Sequence, residues 1–600
     1  MKKTKKLLIC LMTIVLAVIL ATSSAFACTM AYVGSDLTAD GSTFFARSED
    51  YSNSYNKIAY VSEHAKHPAG STYEGCYGFT YTFTHDSYAY TAVRDDNLSG
   101  RCPDCYDTHD HTPMEEAGTN EMGVSVSAMV TLKATSTVRK DLPMVSGGMC
   151  ESDMETILLS EAATAKQGVD LLIDIYDKVG AEERSGVLIG DQNEVWYVEN
   201  YTGHQYIGVK LSDSMAAISP NMGAIGLVDL DDTENVVASA DVITAAQKIG
   251  TFVGDADKNI IDFRASYSDL GINARMINGL NYFLGEQKFT DGNTTGDDFT
   301  ISNVKDGQIV TMYSPIVVNR PISAKDMIDF YKVDSIGNTS NLEWHIFQIK
   351  SEGEMDISTI EWLGMDHGAY SVAIPYFPVL TPELYEGYMV GGIGGVQFVT
   401  ELPEGATGFY PTTKKGEEGF NVYPEGWENG VYWANDALSN YAESKACSAE
   451  DNALIKSCLA EMQQKCYDKA AEMEAKIAAM SVEDAKVYAT AESKALAKEA
   501  HELAVALYKH VAFGEHKVEL VNYKAPTFFR EGYTGDEVCA ICGEVLKTGE
   551  AIRSNGPIAI MSSPITIHVS NSGFLGLPII TVTGLREMIY DILSNLFFWL

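Results

Sequence analysis

Cysteine is scarce in this chain, at 11 of 600 residues, and Cys10 lies in an apolar N-terminal run, so disulfides do not build the fold. Positive charge is short as well: 43 Lys and Arg stand against 82 Asp and Glu, a formal charge of -39. That balance excludes a nucleic-acid groove, which must neutralise phosphates, and reads as a solvated acidic surface. The apolar tail from Gly573 to Leu600 is broken by Arg586, Glu587 and Asp591, so it holds no uncharged span of membrane-crossing length. Familiar hydrolase motifs are missing too. His501-Glu502 is followed by Val505 where a zinc protease needs His, and neither a Gly-x-Ser-x-Gly elbow nor a papain-type Cys segment occurs.

What is present begins at the N-terminus. Residues 1–27 combine Lys2, Lys3, Lys5 and Lys6, an apolar run from Leu7 to Ala21, and the small-residue end Ala25-Phe26-Ala27, the three parts of a secretory signal. Cleavage after Ala27 leaves 573 residues beginning at Cys28 and takes the formal charge from -39 to -43. A lipoprotein signal also leaves a Cys first, but it usually carries Leu where Ala25 stands and a small residue where Phe26 stands. The expected location is therefore secreted or cell-surface. Export permits disulfides among Cys76, Cys102, Cys105 and Cys150, with the pairing open.

The mature length suggests about two to four structural units. Residues 28–400 read as mixed strands and helices. Ser125–Val130 and Glu194–Glu199 alternate like half-buried strands, and Asp153–Val179 has the apolar spacing of one or two amphipathic helices ending at Gly180. Residues 401–515 are loop-rich and then helical, serving as packing or spacer, with helix starts at Ser448-x-x-Asp451 and Ser481-x-x-Asp484. Residues 516–556 resemble the small CxxCG repeats appended to bacterial surface proteins, and 557–600 form an apolar tail of no assigned role. The C-terminal region is a candidate for cell-surface association.

A first-residue cysteine places a thiol and a free α-amine on one residue. The thiolate can attack a carbonyl while the amine, with an ordinary pKa of about 7.7–8.0, takes the thiol proton and later returns it to the leaving nitrogen. Such a pair needs neither histidine nor cofactor, and gives a thioester that water hydrolyses. Cys28–Val33 is β-prone, Asp40-Gly41 signals a turn, and Ser42–Arg47 is a second β-prone run, so a hairpin is expected. Its return strand carries Arg47, a cation for the thiolate, and Asp50, an anion for the ammonium or an incoming amine.

CTMAYVGSDLTADGSTFFARSEDY, with Cys28, Arg47 and Asp50, resembles the opening of the dipeptidase A family. These are cysteine peptidases of the N-terminal-nucleophile superfamily, which includes choloylglycine (bile salt) hydrolases and penicillin V acylases. Glu115–Val124 is similar to the family's EAG-x-NE-x-GV segment and Trp196–Glu199 to its W-Y-x-E strand; EWHIFQIK and SVAIPYFPVL resemble its closing strands. Asn221, in Ile-Ser-Pro-Asn, falls where relatives carry an oxyanion donor, and Arg275 where a second active-site arginine is expected. The resemblance spans about 350 residues, Cys28 to roughly Leu380. It implies an α+β fold of the four-layer αββα type, hydrolysis of short peptides, Cys28, Arg47, Asp50, Asn221 and Arg275 as site residues, and no cofactor.

The chain departs from the pattern at Val130, where bile salt hydrolases place a second oxyanion Asn, and near Met129, where dipeptidases usually show Thr. Asn120 and Glu121 read as turn residues, and Trp344 and Trp362 as core or pocket wall. Cys102 and Cys105 with His109 and His111 allow zinc, a disulfide or free thiols, and Cys539-x-x-Cys542 supplies half of a four-ligand site. Two other functions compete with the peptidase: an N-acyl amide hydrolase using the same residues, and a non-catalytic, lipid-anchored surface-binding protein.

Overall fold

The computed structural model describes residues 28–51, 57–95, 115–130, 132–390 and 426–554, together with the strands Thr566–Ser570 and Ile579–Thr583. The chain divides into two compact units, Met1–Tyr508 and Lys509–Leu600.

The expected hairpin forms. Thr29–Val33 runs antiparallel to Ser42–Asp50, with Met30 opposite Arg47 and Tyr32 opposite Phe45. On its other edge Thr29–Val33 pairs with Ala216–Ser219. Ser42–Asp50 continues into Asn341–Lys350, Thr359–Met365 and Ile374–Tyr376, completing a six-stranded antiparallel sheet. EWHIFQIK is thus its long central strand. A second antiparallel sheet has eight strands, in the order Val236–Ala238, Tyr206–Lys210, Val195–Asn200, Ser185–Gly190, Ser125–Val130, Glu115–Asn120, Tyr90–Asp95 and Lys57–Ser62.

The two sheets face each other. His345 Nε2 lies 2.8 Å from Ser127 Oγ, Tyr197 OH donates to Ser219 Oγ at 2.9 Å, and Thr91 Oγ1 donates to Glu361 Oε2 at 3.1 Å, each bond crossing between them. The opposite face of the eight-stranded sheet is covered by the helices Glu151–Glu161 and Ala165–Lys178, around a core that includes Phe83, Val126, Leu158, Leu172 and Trp196. Ser125–Val130 and Val195–Asn200 are therefore buried on both faces, not half-buried as their alternation suggests. Ser127 and Tyr197 point at the other sheet instead of at water. Gly118 in Glu115–Asn120 is required by proximity, because a Cβ there would fall 1.8 Å from the carbonyl oxygen of Thr91.

The segment Asp153–Val179 resolves into two helices, the second capped by Thr164, whose hydroxyl accepts from the Gln167 N–H at 3.2 Å. The first is not amphipathic, since Ser152 to Ser160 are all buried. Helices Ala274–Leu284 and Ala324–Phe330 pack on Ala216–Ser219 and Asn341–Lys350. Helices Val431–Glu443, Ala449–Ile477 and Val482–Phe513 form the helical block, and Ser448 and Ser481 cap the last two by accepting from Asp451 N (3.0 Å) and Asp484 N (3.2 Å). This block packs on the sheet edge. Gln463 exchanges two hydrogen bonds with the Ala373 backbone, at 2.8 and 3.1 Å, and Ser493 Oγ donates to the Pro375 carbonyl at 2.8 Å. An edge strand is thereby covered. Among the described residues no helix is long and apolar enough to cross a membrane.

Candidate active site

Cys28 stands at the start of the first strand and is 3% exposed. Strand pairing turns Arg47 toward it, and Arg47 Nη2 donates to Cys28 Sγ at 3.4 Å. The arginine is wholly buried and serves both sheets. It donates to the Glu116 carbonyl at 3.2 Å, to Glu116 Oε2 at 2.9 Å and to Glu151 Oε1 at 3.2 Å, and Nη1 lies 3.9 Å from Glu343 Oε1. Beside it, Lys57 Nζ is ion-paired with Glu49, with Asp95 Oδ1 at 2.5 Å and with Glu116 Oε1 at 3.0 Å. The Glu49, Asp95 and Glu116 carboxylates lie close enough together to hold a cation. The lysine ammonium already fills that role.

The backbone around Cys28 is fixed from a second direction. Arg275, in the first turn of Ala274–Leu284, donates through Nη1 to the Cys28 carbonyl and to Thr29 Oγ1 at 3.0 Å. Through Nη2 it reaches the Pro220 carbonyl at 3.1 Å and Asn221 Oδ1 at 2.9 Å. Asn273 caps that helix, accepting from Met276 N at 3.0 Å while donating to the Pro220 carbonyl at 2.8 Å, which sets the arginine's position. Tyr331 OH holds the Thr29 carbonyl at 3.1 Å. Asn221 has a left-handed backbone (φ 55°), and its Nδ2 donates to the carbonyl of Val130 at 2.7 Å. Asp50 accepts from Asn341 Nδ2 at 2.6 Å and Asn338 Nδ2 at 3.2 Å.

Burial sets the electrostatics. It raises the Cys28 thiol pKa, with Arg47 pulling the other way and Glu49 and Asp50 adding to the rise. Burial also pushes Asp50 up to about 6, against the opposing pull of Arg275, Asn341 and Asn338. Glu151 is raised well above the usual range by burial and by Glu116. Glu116 goes the other way. Burial disfavours its charge, but Lys57 and Arg47 outweigh that and hold it below the ordinary carboxylate value. The ionised Glu116 is thus the anchor between the two cations.

Residues 27–388 match the model of peptidase family C69. The chain belongs to that family. With family C69 goes hydrolysis of peptide bonds. The chain is 30% identical over 386 residues to a probable dipeptidase B of Streptococcus pyogenes serotype M1, covering 61% of this chain and 74% of that one. It is 27% identical over 378 residues to a probable dipeptidase of Salmonella dublin, covering 60% and 82%. A dipeptidase of Bifidobacterium longum is 32% identical over 219 residues, covering 34% and 39%. Among solved structures, a mutant conjugated bile acid hydrolase from Clostridium perfringens aligns over 56% of this chain and 89% of its own at 12% identity, with a TM-score of 0.23, too low to bear on the argument.

The C69 chain brings Cys28, Arg47, Asn221 and Arg275 into one hydrogen-bonded set, with Asp50 close enough to act electrostatically on Cys28 and Arg275. Sequence reasoning missed Glu116, Glu151, Lys57 and Glu343. One signal was available: Glu115 and Glu116 adjoin inside a strand, so one must face each side of the sheet. Glu115 does face the helices, accepting from Thr156 Oγ1 at 2.7 Å and Tyr90 OH at 3.1 Å. Asn120 is structural, bonded at 2.7–3.0 Å to the Leu159 and Ala162 carbonyls and the Met122 and Val124 amides. Trp344 and Trp362 are core. Cys150 is buried at the N-cap of Glu151–Glu161, where its backbone N–H donates to Asp153 Oδ2 at 3.0 Å. Cys102, Cys105, His109 and His111 lie outside the described residues, as does the Cys76 side chain.

Proposed function

We propose that the mature protein is a secreted cysteine-type dipeptidase with Cys28 as its nucleophile, exposed as the first residue by removal of residues 1–27. The observation that carries this reading is the Arg47 guanidinium donating to Cys28 Sγ at 3.4 Å while Arg275 and Tyr331 lock the backbone on either side of the Cys28–Thr29 bond. A thiol held this rigidly, beside a cation, suits attack on a carbonyl. The architecture that fits is the N-terminal-nucleophile αββα sandwich, supported by the facing sheets and by helices on their outer sides.

In the reaction, the free α-amine of Cys28 takes the thiol proton and Sγ bonds to the scissile carbonyl carbon. The amine then protonates the leaving nitrogen, and a water activated by the same amine hydrolyses the thioester. Arg47 stabilises the thiolate. Asp50, ionised above about pH 6, orients the ammonium or receives the amino group of the substrate. Asn221 Nδ2, which donates to Val130's carbonyl, is the side-chain donor we assign to the oxyanion of the tetrahedral intermediate. Dipeptides are the substrates we assign, on the names of the relatives. The C-terminal region is our candidate for attachment at the cell surface.

The test compares the processed protein with Cys28→Ser on a panel of dipeptides, N-acyl amino acids and conjugated bile salts, with mass spectrometry of the N-terminus. Dipeptide turnover that disappears in Cys28→Ser, from a chain starting at an unmodified Cys28, is the expected result. Cleavage confined to the acyl amides points to an acylase. A diacylglyceryl thioether on Cys28 ends the nucleophile assignment.

A further inference from the structure

The second unit contains a cluster that the peptidase reaction does not use. Helix Val482–Phe513 carries His510 in its last turn, and Gly514 turns the chain so that His516 follows just before the strand Val518–Val521. That strand pairs with Asp536–Cys539, Val518 opposite Cys539, and the Ala540 N–H donates to the Lys517 carbonyl at 2.7 Å. His516 is thereby placed beside the turn Cys539-Ala-Ile-Cys542. Within that turn the Ile541 N–H donates to Cys539 Sγ at 3.4 Å, and the Gly543 N–H to the Cys539 carbonyl at 2.9 Å. Gly543 takes φ 74°, which brings the chain back into the strand Val545–Lys547. One ligand atom from each of His510, His516, Cys539 and Cys542 lies within 4.8 Å of all the others.

We propose that these four residues form a structural zinc site. Two thiolates and two imidazoles are a tetrahedral zinc donor set. Cys542 Sγ and His516 Nδ1 are 3.9 Å apart, against about 3.6 Å for a sulfur and a nitrogen on one tetrahedral zinc with ordinary bond lengths. The outer partners suit the role. His510 Nδ1 sits 2.9 Å from the Glu515 carbonyl, which fixes the tautomer with Nε2 as the ligating atom, and His516 Nε2 lies 3.8 Å from Glu544 Oε2. Both thiols are unpaired cysteines in the structure. Binding breaks two S–H bonds and forms two Zn–S bonds, with two protons passing to solvent and no change of oxidation state.

A second, independent observation concerns what else holds this segment together. Between Lys509 and Ser554, the only hydrophobic residues that are buried are Cys539 and Ile541, whereas Val518, Leu520, Tyr523, Phe529 and Val545 are all more than half exposed. Three short strands with no apolar core do not fold on hydrophobic burial, and segments of this size use a metal or disulfides instead. The centre of the sheet holds a cysteine where a core residue is expected.

The experiment uses the full-length protein, purified under reducing conditions in the presence of zinc and then freed of unbound metal. Elemental analysis is expected to give one zinc per chain, and cobalt in its place the thiolate charge-transfer and visible bands of a tetrahedral centre. Cys539→Ser and His516→Ala should each lower zinc affinity at least tenfold, His516→Cys should retain it, and chelation should open the segment to protease while dipeptide hydrolysis continues. Zinc well below one per chain, zinc that persists in Cys539→Ser and His516→Ala together, or a Cys539–Cys542 disulfide in the isolated protein overturns the proposal.

Discussion

Replacing Arg47 with Met keeps much of the side chain's length and removes its charge, and the buried network fixes what should follow. Arg47 is the partner of Glu116 and Glu151 and lies 3.9 Å from Glu343, all inside the protein. Taking one member from a buried ion pair costs about 3–5 kcal/mol, because the remaining charge keeps its desolvation penalty. Glu116, which Arg47 helps to hold ionised, is the carboxylate left short of a partner, so a loss within that range is expected at pH 7. The sign of the pH dependence follows from Glu116. Its folded pKa is depressed in the wild type, so its contribution to stability is present above the unfolded value of about 4.3 and is lost as pH falls through the folded value. In Arg47→Met that contribution is lost, and a carboxylate left with only Lys57 is more easily protonated. The stability gap between the two proteins should therefore be widest near pH 7 and narrow as pH falls below about 4.3. Thermal and denaturant unfolding midpoints, measured at pH 7 and at about pH 3.5, check it. Arg47→Lys should recover part of the loss, since the charge returns without the two-pronged donor. A gap that is the same at both pH values, or smaller than about 1 kcal/mol at pH 7, refutes the assignment of Arg47 as the cation that holds the two sheets' acids.

Cys28→Ser should fold with an unchanged unfolding midpoint and lose nearly all dipeptide turnover, since a hydroxyl is far less acidic than a thiol; circular dichroism and a dipeptidase assay check both parts. A chain retaining one extra residue before Cys28 should be comparably inactive and alkylate more slowly at pH 7 than the processed chain, a comparison made with iodoacetamide and mass spectrometry. Asp50, at about 6 in the folded protein, should give the acid limb of the kcat/KM profile, and Asp50→Asn should abolish that limb. Because its folded pKa is raised, Asp50 adds stability below its unfolded value that is lost as pH rises through about 6. Asp50→Asn should therefore be no less stable than wild type at pH 7–8 while losing activity. Asn221→Ala should lower kcat about 10²–10³-fold if its amide serves the oxyanion, with a smaller effect on KM.

The parts of this structure legible in the sequence are local. The Asp40-Gly41 turn between two β-prone runs gave the hairpin and the placement of Arg47 near Cys28, and the Ser448 and Ser481 caps marked two helix starts. Burial on both faces of Ser125–Val130 was not legible, because period-two alternation looks the same whether its polar face meets water or the side chains of a second sheet. The acids around Arg47 were hidden for a related reason. Glu116 lies 69 residues away and Glu151 104 residues away, and nothing local distinguishes a glutamate at a helix start that pairs across an interface from one that faces solvent. His510 and His516 were equally silent, since one lies in the last turn of a helix and the other in the link before a strand, 23 residues ahead of Cys539. Only the pairing of Val518 with Cys539 brings them to the thiols.

The charges gathered around Cys28 bear on why the nucleophile should be a chain terminus at all. Arg47, Lys57 and Arg275 are the cations, and Glu49, Asp50, Asp95, Glu116, Glu151 and Glu343 the acids. Burial does not tolerate that excess of negative charge, and Glu49, Asp95 and Glu151 respond with raised pKa values. The Cys28 thiol is raised by the same conditions, so with an amide on its nitrogen it is a poor nucleophile, with one cation at 3.4 Å. Freeing the α-amine places a fourth cation on the cysteine itself, in a site already rich in carboxylates. Its ammonium form is favoured there, and an ammonium one residue's width from the sulfur favours the thiolate in turn. Under the processing we propose, the acid excess that raises the thiol of the amidated chain would keep the processed pair charged, with no rearrangement of Arg47, Glu116 or Arg275 required.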